Sequence, residues 1–540
     1  MINFFKKTFL KSYVLIFFLV LPSVVWVFLD KASWTWDQSE YGNVSINLYY
    51  ELSTSISSWY NAMLSAFSVK APGIAWLGQF FVPLGNMLGI DIALMLLILI
   101  AQFLILIMAY QIINSATDSK KISVICVLIM ASAPMFIALS HQFLVEMLQL
   151  LAVTIFVYIL VLGKKWTRYE QVLALVVASS FALLIKITSP LYVIIPGFFI
   201  IVNIFKSSSA DFKNHFLLKK KMMMFYLLSI PVVFGTIRWY LVNGEQIIKF
   251  MSDNTSGSTA LLYSKKVSFF SKLAVWLGHL YESFFIPSVA ITFGALVIFF
   301  IIVLLIKKVS FQNRKVNIIF AISSLSVVLL LIIFSLQVND AGRFVLPSLI
   351  YVVIIISGFL YYVKSNLAYN FIIGMFLFQF LYVNAFSFGF IKIDAQKYGD
   401  WGVPIQNDPS NRDMIKSVVK KTCTSKTKNK TIIIGVEYKW LNANSLNYYL
   451  SQNRSISKYR CRFTSLGYAA TDVEKTWNNM ISQTKPPYFI AVSQELYEKH
   501  PDVFNVVSLP ILEKVEENNS LFAKVDNFDQ PKIQLFKAKY

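Results

Sequence analysis

Charged residues are scarce in this chain. Only 14% of its 540 residues are Asp, Glu, Lys or Arg, whereas 56% are hydrophobic and 16% are aromatic. A soluble globular domain carries about 25% charged residues. The composition therefore excludes an ordinary soluble protein and indicates a polytopic α-helical membrane protein.

Acidic residues are especially few. The chain has 28 Asp and Glu against 49 Lys and Arg, a formal net charge of +21. Such an excess can indicate nucleic-acid binding, but here the basic residues lie in short clusters between apolar runs. That distribution is the one that sets membrane topology, so the sequence predicts membrane lipids and no nucleic acid as partners.

Cysteine and histidine are rare, with three and four residues. Cys126, Cys423 and Cys461 have no metal-ligand spacing. The sequence does not favour a disulfide, although Cys423 and Cys461 share the polar C-terminal region.

The N-terminal apolar run lacks a small-residue cleavage site, which predicts that it stays as the first helix. The sequence also shows no internal repeat, which weighs against an inverted-repeat transporter.

Long apolar runs dominate the first 390 residues. Runs near the length that crosses about 30 Å of hydrocarbon lie at 13–29, 91–113, 122–139, 144–163, 170–187, 190–205, 223–241, 286–306, 316–336, 344–363 and 368–389. We therefore predict eleven transmembrane helices. A cytoplasmic N-terminus places 18 basic residues in inner segments and 8 in the outer segments before the polar tail, as the positive-inside rule requires. The C-terminal region then lies outside.

Composition changes after about residue 389, which predicts a transmembrane domain at 1–389 and an extracytoplasmic α/β domain at 390–540. In the second, "TIIIGVEY" and "PYFIAVS" read as buried strands, and "NSLNYYLSQN" and "TDVEKTWNNMISQ" as helices. Two long outer loops are predicted at 30–90 and 242–285. The first has amphipathic segments that suit a membrane surface, and the second has a Gly/Ser patch typical of a mobile lid.

Two acids follow the first predicted helix, in "WTWDQSEYG". Asp37 and Glu40 are three residues apart, so on a helix they share one face. A partly desolvated carboxylate in a cavity can act as a general base. The alternative is an interfacial loop in which Trp34, Trp36 and Tyr41 anchor the chain at the membrane surface and the acids are solvated.

Glu146 and His141 lie near the start of the fourth predicted helix, in "SHQFLVEMLQLL". A carboxylate there is also explained by the helix macrodipole. Together with Asp37 and Glu40 these residues could hold a divalent metal cation, but they have no fixed ligand spacing such as HExxH. We therefore assign no metal ligand and keep a divalent cation as an alternative.

Three basic residues are predicted at the same membrane depth: Lys70 in "SVKAPGIAW", Lys186 in "LLIKITSP" and Arg343 in "NDAGRFVLP". Arginine and lysine at the rim of a bilayer suit a phosphate group. The alternative is that each side chain reaches the interface without a ligand.

These motifs, taken in order, resemble the GT-C superfamily of membrane glycosyltransferases. The quoted stretches are "WDQSEY", "KAPG", "LVEMLQLLAVTIFVYIL", "ALLIKITSPLYVIIP" and "GRFVLPSLIYVVIIISG". The chain looks like the branch that includes protein O-mannosyltransferases and the lipid A aminoarabinose transferase. The resemblance covers about residues 1–390, and "KAPG" departs from the family's Lys-Pro-Pro-Leu.

The resemblance implies transfer of a sugar, with inversion, from a polyprenyl-phosphate donor to a glycan, lipid or protein acceptor on the outer face of a plasma or inner membrane. It gives Asp37 the catalytic-base role, while Glu40 and Glu146 orient the acceptor or a cation. Lys70 and Arg343 hold the donor phosphate. We add Lys186 to the phosphate site, and Tyr41 and His141 as substrate-binding residues.

Two other functions compete with this one. A secondary transporter or flippase is equally apolar and also holds acids in a cavity, but it has no evident need for the long first loop or the outer domain. A polysaccharide polymerase or ligase also uses lipid-linked donors, but usually places its large outer loop later in the chain.

Overall fold

The computed structural model describes residues 2–206, 220–306, 313–391, 410–467, 470–499, 504–525 and 532–539. The chain forms two compact units. The first unit contains Met1–Phe28, Tyr60–Leu77 and Ile92–Gln406, and the second contains Leu29–Trp59, Gly78–Asp91 and Asn407–Tyr540. Two segments of the first predicted loop thus belong to the unit of the C-terminal region. Residues 207–219 and 307–312, which contain some of the basic residues used to predict the topology, lie outside the described residues.

The first eighteen helices follow one another from the N-terminus to Ser387. They are α1 (Ile2–Leu29), α2 (Trp36–Thr54), α3 (Ile56–Ser65), α4 (Gly73–Gly78), α5 (Gly85–Leu88), α6 (Ile90–Thr117), α7 (Lys120–Ser132), α8 (Pro134–Ser140), α9 (Val145–Leu162), α10 (Arg168–Ile185), α11 (Ser189–Lys206), α12 (Lys220–Thr255), α13 (Ser258–Tyr263), α14 (Phe269–Phe284), α15 (Pro287–Ile306), α16 (Arg314–Ser335), α17 (Leu349–Val363) and α18 (Asn366–Ser387). A 3₁₀ segment, Gly342–Ser348, leads into α17.

Eight of the described helices are long and apolar enough to cross a membrane: α1, α6, α9, α10, α11, α16, α18, and α17 with its leading 3₁₀ segment. Two bent pairs, α7 with α8 and α14 with α15, bend by 64° and 106° and bring the number to ten if each is one span. Each predicted run falls on a helix or a bent pair. The run at 223–241 lies in the 36-residue helix α12, which is not one of those eight. The chain is a multi-pass helical membrane protein.

Local sequence explains where several of these helices begin. Thr167 and Glu170 form a reciprocal capping box at the start of α10, which satisfies backbone N–H groups that have no partner inside the helix. Pro134 begins α8 directly after α7 ends at Ser132. Because proline has no N–H to donate and fixes φ, it is well suited to a first helical position. The bend between α7 and α8 therefore follows from the sequence.

The second unit contains a five-stranded sheet of order β2-β1-β3-β5-β4. The strands are β1 (Thr431–Ile434), β2 (Arg462–Ser465), β3 (Tyr488–Val492), β4 (Phe522–Lys524) and β5 (Ile533–Ala538), and the helices are α19 (Ser410–Thr422), α20 (Ala443–Gln452), α21 (Arg454–Ser457), α22 (Val473–Asn478), α23 (Gln494–Lys499) and α24 (Ser508–Glu517). β1 is parallel to β2 and β3, whereas β5 is antiparallel to β3 and β4. The predicted α/β arrangement is confirmed, with both predicted strands and both predicted helical stretches.

Helix α2 packs against α20 inside the second unit. At Gly42 an added Cβ would lie 2.5 Å from the Tyr448 ring and 2.8 Å from the Trp34 ring. The two rings stack with their centroids 4.6 Å apart. Only a glycine allows the helix to approach these rings so closely. The segment after the first helix is thus built into the unit that holds the sheet.

Cys423 and Cys461 form a disulfide within the second unit, so the sequence preference against a disulfide is wrong. Cys423 follows α19, and Cys461 immediately precedes β2. The sequence could not show this pairing because the two residues lie 38 positions apart and meet only when β2 pairs with β1. Cys126, in α7, is free and buried.

Removal of this disulfide should destabilise the second unit. Closing a loop of this length restricts the unfolded chain by about 4 kcal/mol on the chain-entropy estimate. We expect the Cys423→Ser/Cys461→Ser variant to unfold at a lower temperature than the wild type in detergent. A reductant should lower the wild-type midpoint toward that of the variant and leave the variant unchanged. Equal midpoints without reductant would contradict the assignment.

Glu437 is a buried acid beyond the end of β1, with 8% of its surface exposed. Burial raises the pKa of its carboxyl from 4.5 to about 7, against the lowering effect of a hydrogen bond with Ser465. The folded state holds the proton more tightly than the unfolded chain, so protonation of Glu437 stabilises the fold. This stabilisation is complete below pH 4.5 and is lost as the pH rises through about 7.

We therefore expect Glu437→Gln to be more stable than the wild type at pH 8, by up to about 3 kcal/mol, with the difference vanishing near pH 4. Thermal unfolding across this pH range would measure it. Glu516→Gln, which changes an exposed acid of α24, should show no such trend. A stability difference for Glu437→Gln that does not depend on pH would refute the buried-charge explanation.

Candidate active site

Glu146, Lys186 and Arg343 form an ionic cluster in the first unit. The Lys186 Nζ donates a hydrogen bond of 2.9 Å to Glu146 Oε1. The Arg343 Nε lies 3.3 Å from the same oxygen, an ion-pair distance without hydrogen-bond geometry. The side chain of Glu146 is only 1% exposed, while those of Lys186 and Arg343 are 17% and 21% exposed. The structure thus brings together three of the predicted site residues.

Each member of this cluster comes from the end of a different element. Glu146 lies in the first turn of α9, Lys186 caps the C-terminus of α10, and Arg343 lies in the 3₁₀ segment before α17. The negative end of the α10 dipole is favourable for a lysine, and the positive end of α9 for a glutamate. Helix ends therefore place these charges where the apolar runs stop.

Two tyrosines fix the Arg343 segment against α11. The Tyr192 hydroxyl donates to the Phe344 carbonyl oxygen at 2.6 Å, and the Tyr351 hydroxyl donates to the Tyr192 carbonyl oxygen at 2.6 Å. The Lys186 Nζ also lies 4.4 Å from the centre of the Phe344 ring, a favourable cation–π distance. Both cations are therefore held by groups besides the shared carboxylate.

A second ion pair holds the chain just before Arg343. The buried Lys272 of α14 donates to Asp340 Oδ2 at 3.0 Å and to the Val338 carbonyl oxygen at 2.7 Å. At Gly342 an added Cβ would lie 3.2 Å from the His279 ring. Most of the loop predicted at 242–285 is thus helical, and α14 supports the segment that carries Arg343.

The cluster can bind an anion. A buried carboxylate compensated by two cations leaves a formal charge of +1, and the exposed fractions lie on the cations. Glu146 Oε2 has no hydrogen-bond partner among the described residues and can accept a hydrogen bond from a ligand hydroxyl. The arrangement therefore suits a phosphate group beside a hydroxyl group.

Lys70 lies just before α4 in the same unit. At Gly73 an added Cβ would lie 2.6 Å from the Leu184 carbonyl oxygen, so the backbone here approaches the end of α10, which carries Lys186. The departure of "KAPG" from the Lys-Pro-Pro-Leu pattern has a steric basis at this position, because only glycine fits against Leu184. Lys70 is half-buried and has further interactions.

Gly73→Ala should disturb this approach. The new methyl group would meet a backbone oxygen that cannot rotate away, which costs about 1–3 kcal/mol as in other overpacked sites. We expect a lower unfolding temperature in detergent. Gly278→Ala, in α14 with no neighbouring atom within 4 Å of the added Cβ, is the matched control and should be neutral or slightly stabilising. Similar midpoints for the two variants would contradict the close contact.

His141 is 2% exposed and stacks on Trp26, with ring centroids 4.1 Å apart and an interplanar angle of 4°. The Trp26 Nε1 donates to the Ser387 carbonyl oxygen at 2.9 Å. Neither ring nitrogen of His141 has a hydrogen-bond partner among the described residues. The ring is covered in this conformation, and its predicted substrate-binding role stays a prediction.

Asp37, Glu40 and Tyr41 lie in α2 of the second unit. Asp37 is in the first turn of that helix, where the macrodipole favours a carboxylate. The helix confirms that Asp37 and Glu40 lie three residues apart on one face. Both acids are half-buried, whereas Tyr41 is buried. This segment is therefore a folded helix and not an irregular loop.

Metal binding finds no support in the described part of the chain, which contains no group of three or more His, Cys, Asp or Glu residues arranged to hold an ion. Glu146 has two cations beside it, and His141 is covered by Trp26. The donor set near Glu146 thus does not fit a divalent cation.

Sequence reasoning missed the residues that support the cluster, including Tyr192 and Phe344. Tyr192 lies within the motif "SPLYVIIP", and Phe344 directly follows Arg343. Both residues are therefore close in sequence to predicted site residues. Their contact could not be seen because it joins positions 152 residues apart.

The chain is similar to solved structures of ArnT from Cupriavidus metallidurans. The complex with undecaprenyl phosphate matches with a TM-score of 0.56 and 11% identity, covering 98% of each chain. The apo state matches with a TM-score of 0.55 and 12% identity, covering 97% of this chain and 98% of that one. The Archaeoglobus fulgidus oligosaccharyltransferase in complex with Zn and sulfate gives a TM-score of 0.46 at 11% identity, over 93% and 70% of the two chains.

No family model and no curated protein matches the sequence. The two ArnT matches extend over nearly the full length of both chains. At this identity they establish the fold and not the activity. The chain therefore shares the fold of these ArnT structures, which agrees with the fold that its motifs predict.

Proposed function

We propose that the chain is a membrane glycosyltransferase that moves a sugar from a polyprenyl-phosphate donor to an acceptor hydroxyl, with inversion at the anomeric carbon. The observation that carries the proposal is the cluster of Lys186 and Arg343 around the buried Glu146. Transfer from such a donor releases an anionic phosphate, and positive charge beside the leaving group lowers the barrier most.

In the proposed reaction Asp37 accepts the proton of the acceptor hydroxyl. The acceptor oxygen forms a bond to the anomeric carbon as the bond from that carbon to the phosphate oxygen breaks. The electron pair stays on the phosphate, which Lys186, Arg343 and Lys70 stabilise. Glu40 orients the acceptor, and so does Glu146 through its unpartnered Oε2. Tyr41 and His141 are proposed to contact the substrates, and no step requires a divalent metal.

The donor class has support from one similar structure. ArnT from Cupriavidus metallidurans was crystallised with undecaprenyl phosphate, which is the leaving group that the proposed reaction would release. Two cations that share one carboxylate provide the charge that such a group needs. The assay described below identifies the sugar and distinguishes glycan, lipid and protein acceptors.

We further propose that the N-terminus is cytoplasmic and that the second unit lies outside a plasma or inner membrane. The distribution of basic residues supports this orientation. So does the disulfide of Cys423 and Cys461, because disulfides persist in oxidising compartments. Reaction on the outer face also places the site where a lipid-linked donor and a cell-surface acceptor meet.

The test is an assay of the purified full chain in lipid nanodiscs with a panel of radiolabelled polyprenyl-phosphate sugars. We expect one donor to release free polyprenyl phosphate, together with label in an added membrane glycolipid or glycan fraction. The reaction should proceed in EDTA. Movement of the lipid-linked sugar across the proteoliposome membrane with its sugar–phosphate bond intact would overturn the proposal in favour of a flippase.

A further inference from the structure

The second unit contains a cavity of about 690 Å³ that none of the roles above uses. It is lined by the last part of α2, by the segment Val82–Ile90 and by residues from α19 through α21. All of these belong to the second unit. A cavity of this size lies in the range that holds a small polar ligand or a few sugar units.

The walls of this cavity carry positive charge. Lys416, Lys420 and Arg454 line it, and none of the described residues that line it is acidic. All three cations are exposed. Among the described residues no carboxylate forms an ion pair with any of them. No ion pair among the described residues therefore neutralises these three charges, which are available to an anionic ligand.

Aromatic rings, and not acids, position two of these cations. The Arg454 guanidinium lies 4.5 Å from the centre of the Tyr50 ring, and the Lys416 Nζ lies 5.6 Å from that of Tyr449. Cation–π contacts orient a cation without neutralising it. Tyr49 lines the same cavity. Flat rings with a polar edge can pack against a sugar face while their hydroxyls bond to it.

The surrounding sequence strengthens this reading. Residues 412–462 contain twelve basic and two acidic residues, whereas residues 463–540 contain eight basic and ten acidic ones. Positive charge is thus concentrated in one of the stretches that build the cavity, the one that supplies α19 through α21. A local field of one sign attracts ligands of the opposite sign and raises their local concentration.

We propose that this cavity binds the acceptor, and that the acceptor is a saccharide bearing phosphate or carboxylate groups. The proposal rests on the glycosyltransferase function above. Tyr50 and Asp37 lie on one helix, thirteen residues apart, which corresponds to about 20 Å along α2. The cavity therefore holds a part of the acceptor remote from the reacting hydroxyl, and it selects for negative charge.

The experiment measures binding by calorimetry with the full chain in nanodiscs. The probes are tetragalacturonate, a neutral malto-oligosaccharide of the same length, and a phosphorylated malto-oligosaccharide either free or attached to a lipid. We expect both anionic probes to bind at least tenfold more tightly than the neutral one. Their affinity should fall as salt is raised. Tighter binding of the lipid-attached form than of the free form would identify a glycolipid acceptor, and equal binding a soluble glycan.

The test variant is Lys420→Gln/Arg454→Gln, which we expect to weaken anionic binding at least tenfold. Its matched control is Lys426→Gln/Lys428→Gln, two exposed lysines of the same basic stretch that do not line the cavity. The control should stay within twofold of the wild type. Equal losses in the two variants, equal binding of neutral and anionic probes, or binding of phosphatidylglycerol vesicles in place of saccharides would overturn the proposal.

This readout is independent of catalysis. Asp37→Asn should bind the anionic probes as the wild type does. If no donor supports transfer but anionic saccharides still bind at the cavity, the proposed function fails while the site remains. If transfer occurs and Lys420→Gln/Arg454→Gln keeps both its affinity and its acceptor KM, the acceptor site is wrong and the function stands.

Discussion

Asp37→Asn should lower the turnover of sugar transfer by about 10²–10⁴-fold, the range that a positioned general base contributes. Asparagine has nearly the same shape as aspartate but cannot accept the hydroxyl proton. The donor affinity should stay within twofold of the wild type, because the proposed phosphate contacts come from Lys70, Lys186 and Arg343. Initial rates and donor binding in nanodiscs measure the two quantities separately.

The control for this variant is Asp413→Asn, which removes an exposed carboxylate of α19 in the same unit. It should retain wild-type turnover. Glu40→Gln should raise the acceptor KM more than it lowers kcat, as expected of an orienting residue. Wild-type turnover in Asp37→Asn would show that Asp37 is not the catalytic base. An equal loss of turnover in Asp413→Asn would indicate a general effect of charge on the second unit.

Removing both cations around Glu146 should have the largest effect on stability. Lys186→Met or Arg343→Met alone leaves the buried carboxylate with one cation, so each single variant should fold and show weaker donor binding. The double variant leaves a buried charge uncompensated, which costs about 3–5 kcal/mol in other proteins. We expect strongly non-additive losses in thermal stability.

A third substitution separates charge from packing. Adding Glu146→Gln to the double variant removes the uncompensated charge and should restore most of the lost stability without restoring transfer. Thermal unfolding of the single, double and triple variants in detergent gives the comparison. If the triple variant is no more stable than the double, the lysine and arginine contribute mainly through packing, and the ionic account of the cluster is wrong.

The sequence predicted the parts of this protein that depend on local pattern. Apolar length identified the eight described helices, or ten spans with the two bent pairs, that can cross a membrane, but it also predicted a span at 223–241 that is not among them. Buried apolar runs identified β1 and β3. The position of charged residues at the ends of apolar runs singled out Glu146, Lys186 and Arg343, which the structure brings together. Each lies at the end of an apolar element, where a charge is easiest to recognise.

Contacts between positions far apart in the chain could not be predicted from local sequence pattern. The contact of Gly73 with Leu184 joins segments over a hundred residues apart, and the disulfide depends on the pairing of β1 with β2. The cavity is built from α2, the segment before α6, and α19 through α21, none of which suggests a site alone. No periodicity reports how such segments pack against one another.

The guanidinium of Arg412 has a consequence for biogenesis. It donates to the Ala32 carbonyl oxygen at 2.9 Å and forms ion pairs with Asp30 and Asp91. Ribosomes add about 5–20 residues per second, so the 380 positions between Ala32 and Arg412 take roughly 20 to 80 s to synthesise. For most of that interval both carboxylates lack this cation while many hydrophobic segments are inserted into the membrane. A nascent chain released before this arginine emerges would leave the acids uncompensated and be a natural target for membrane quality control.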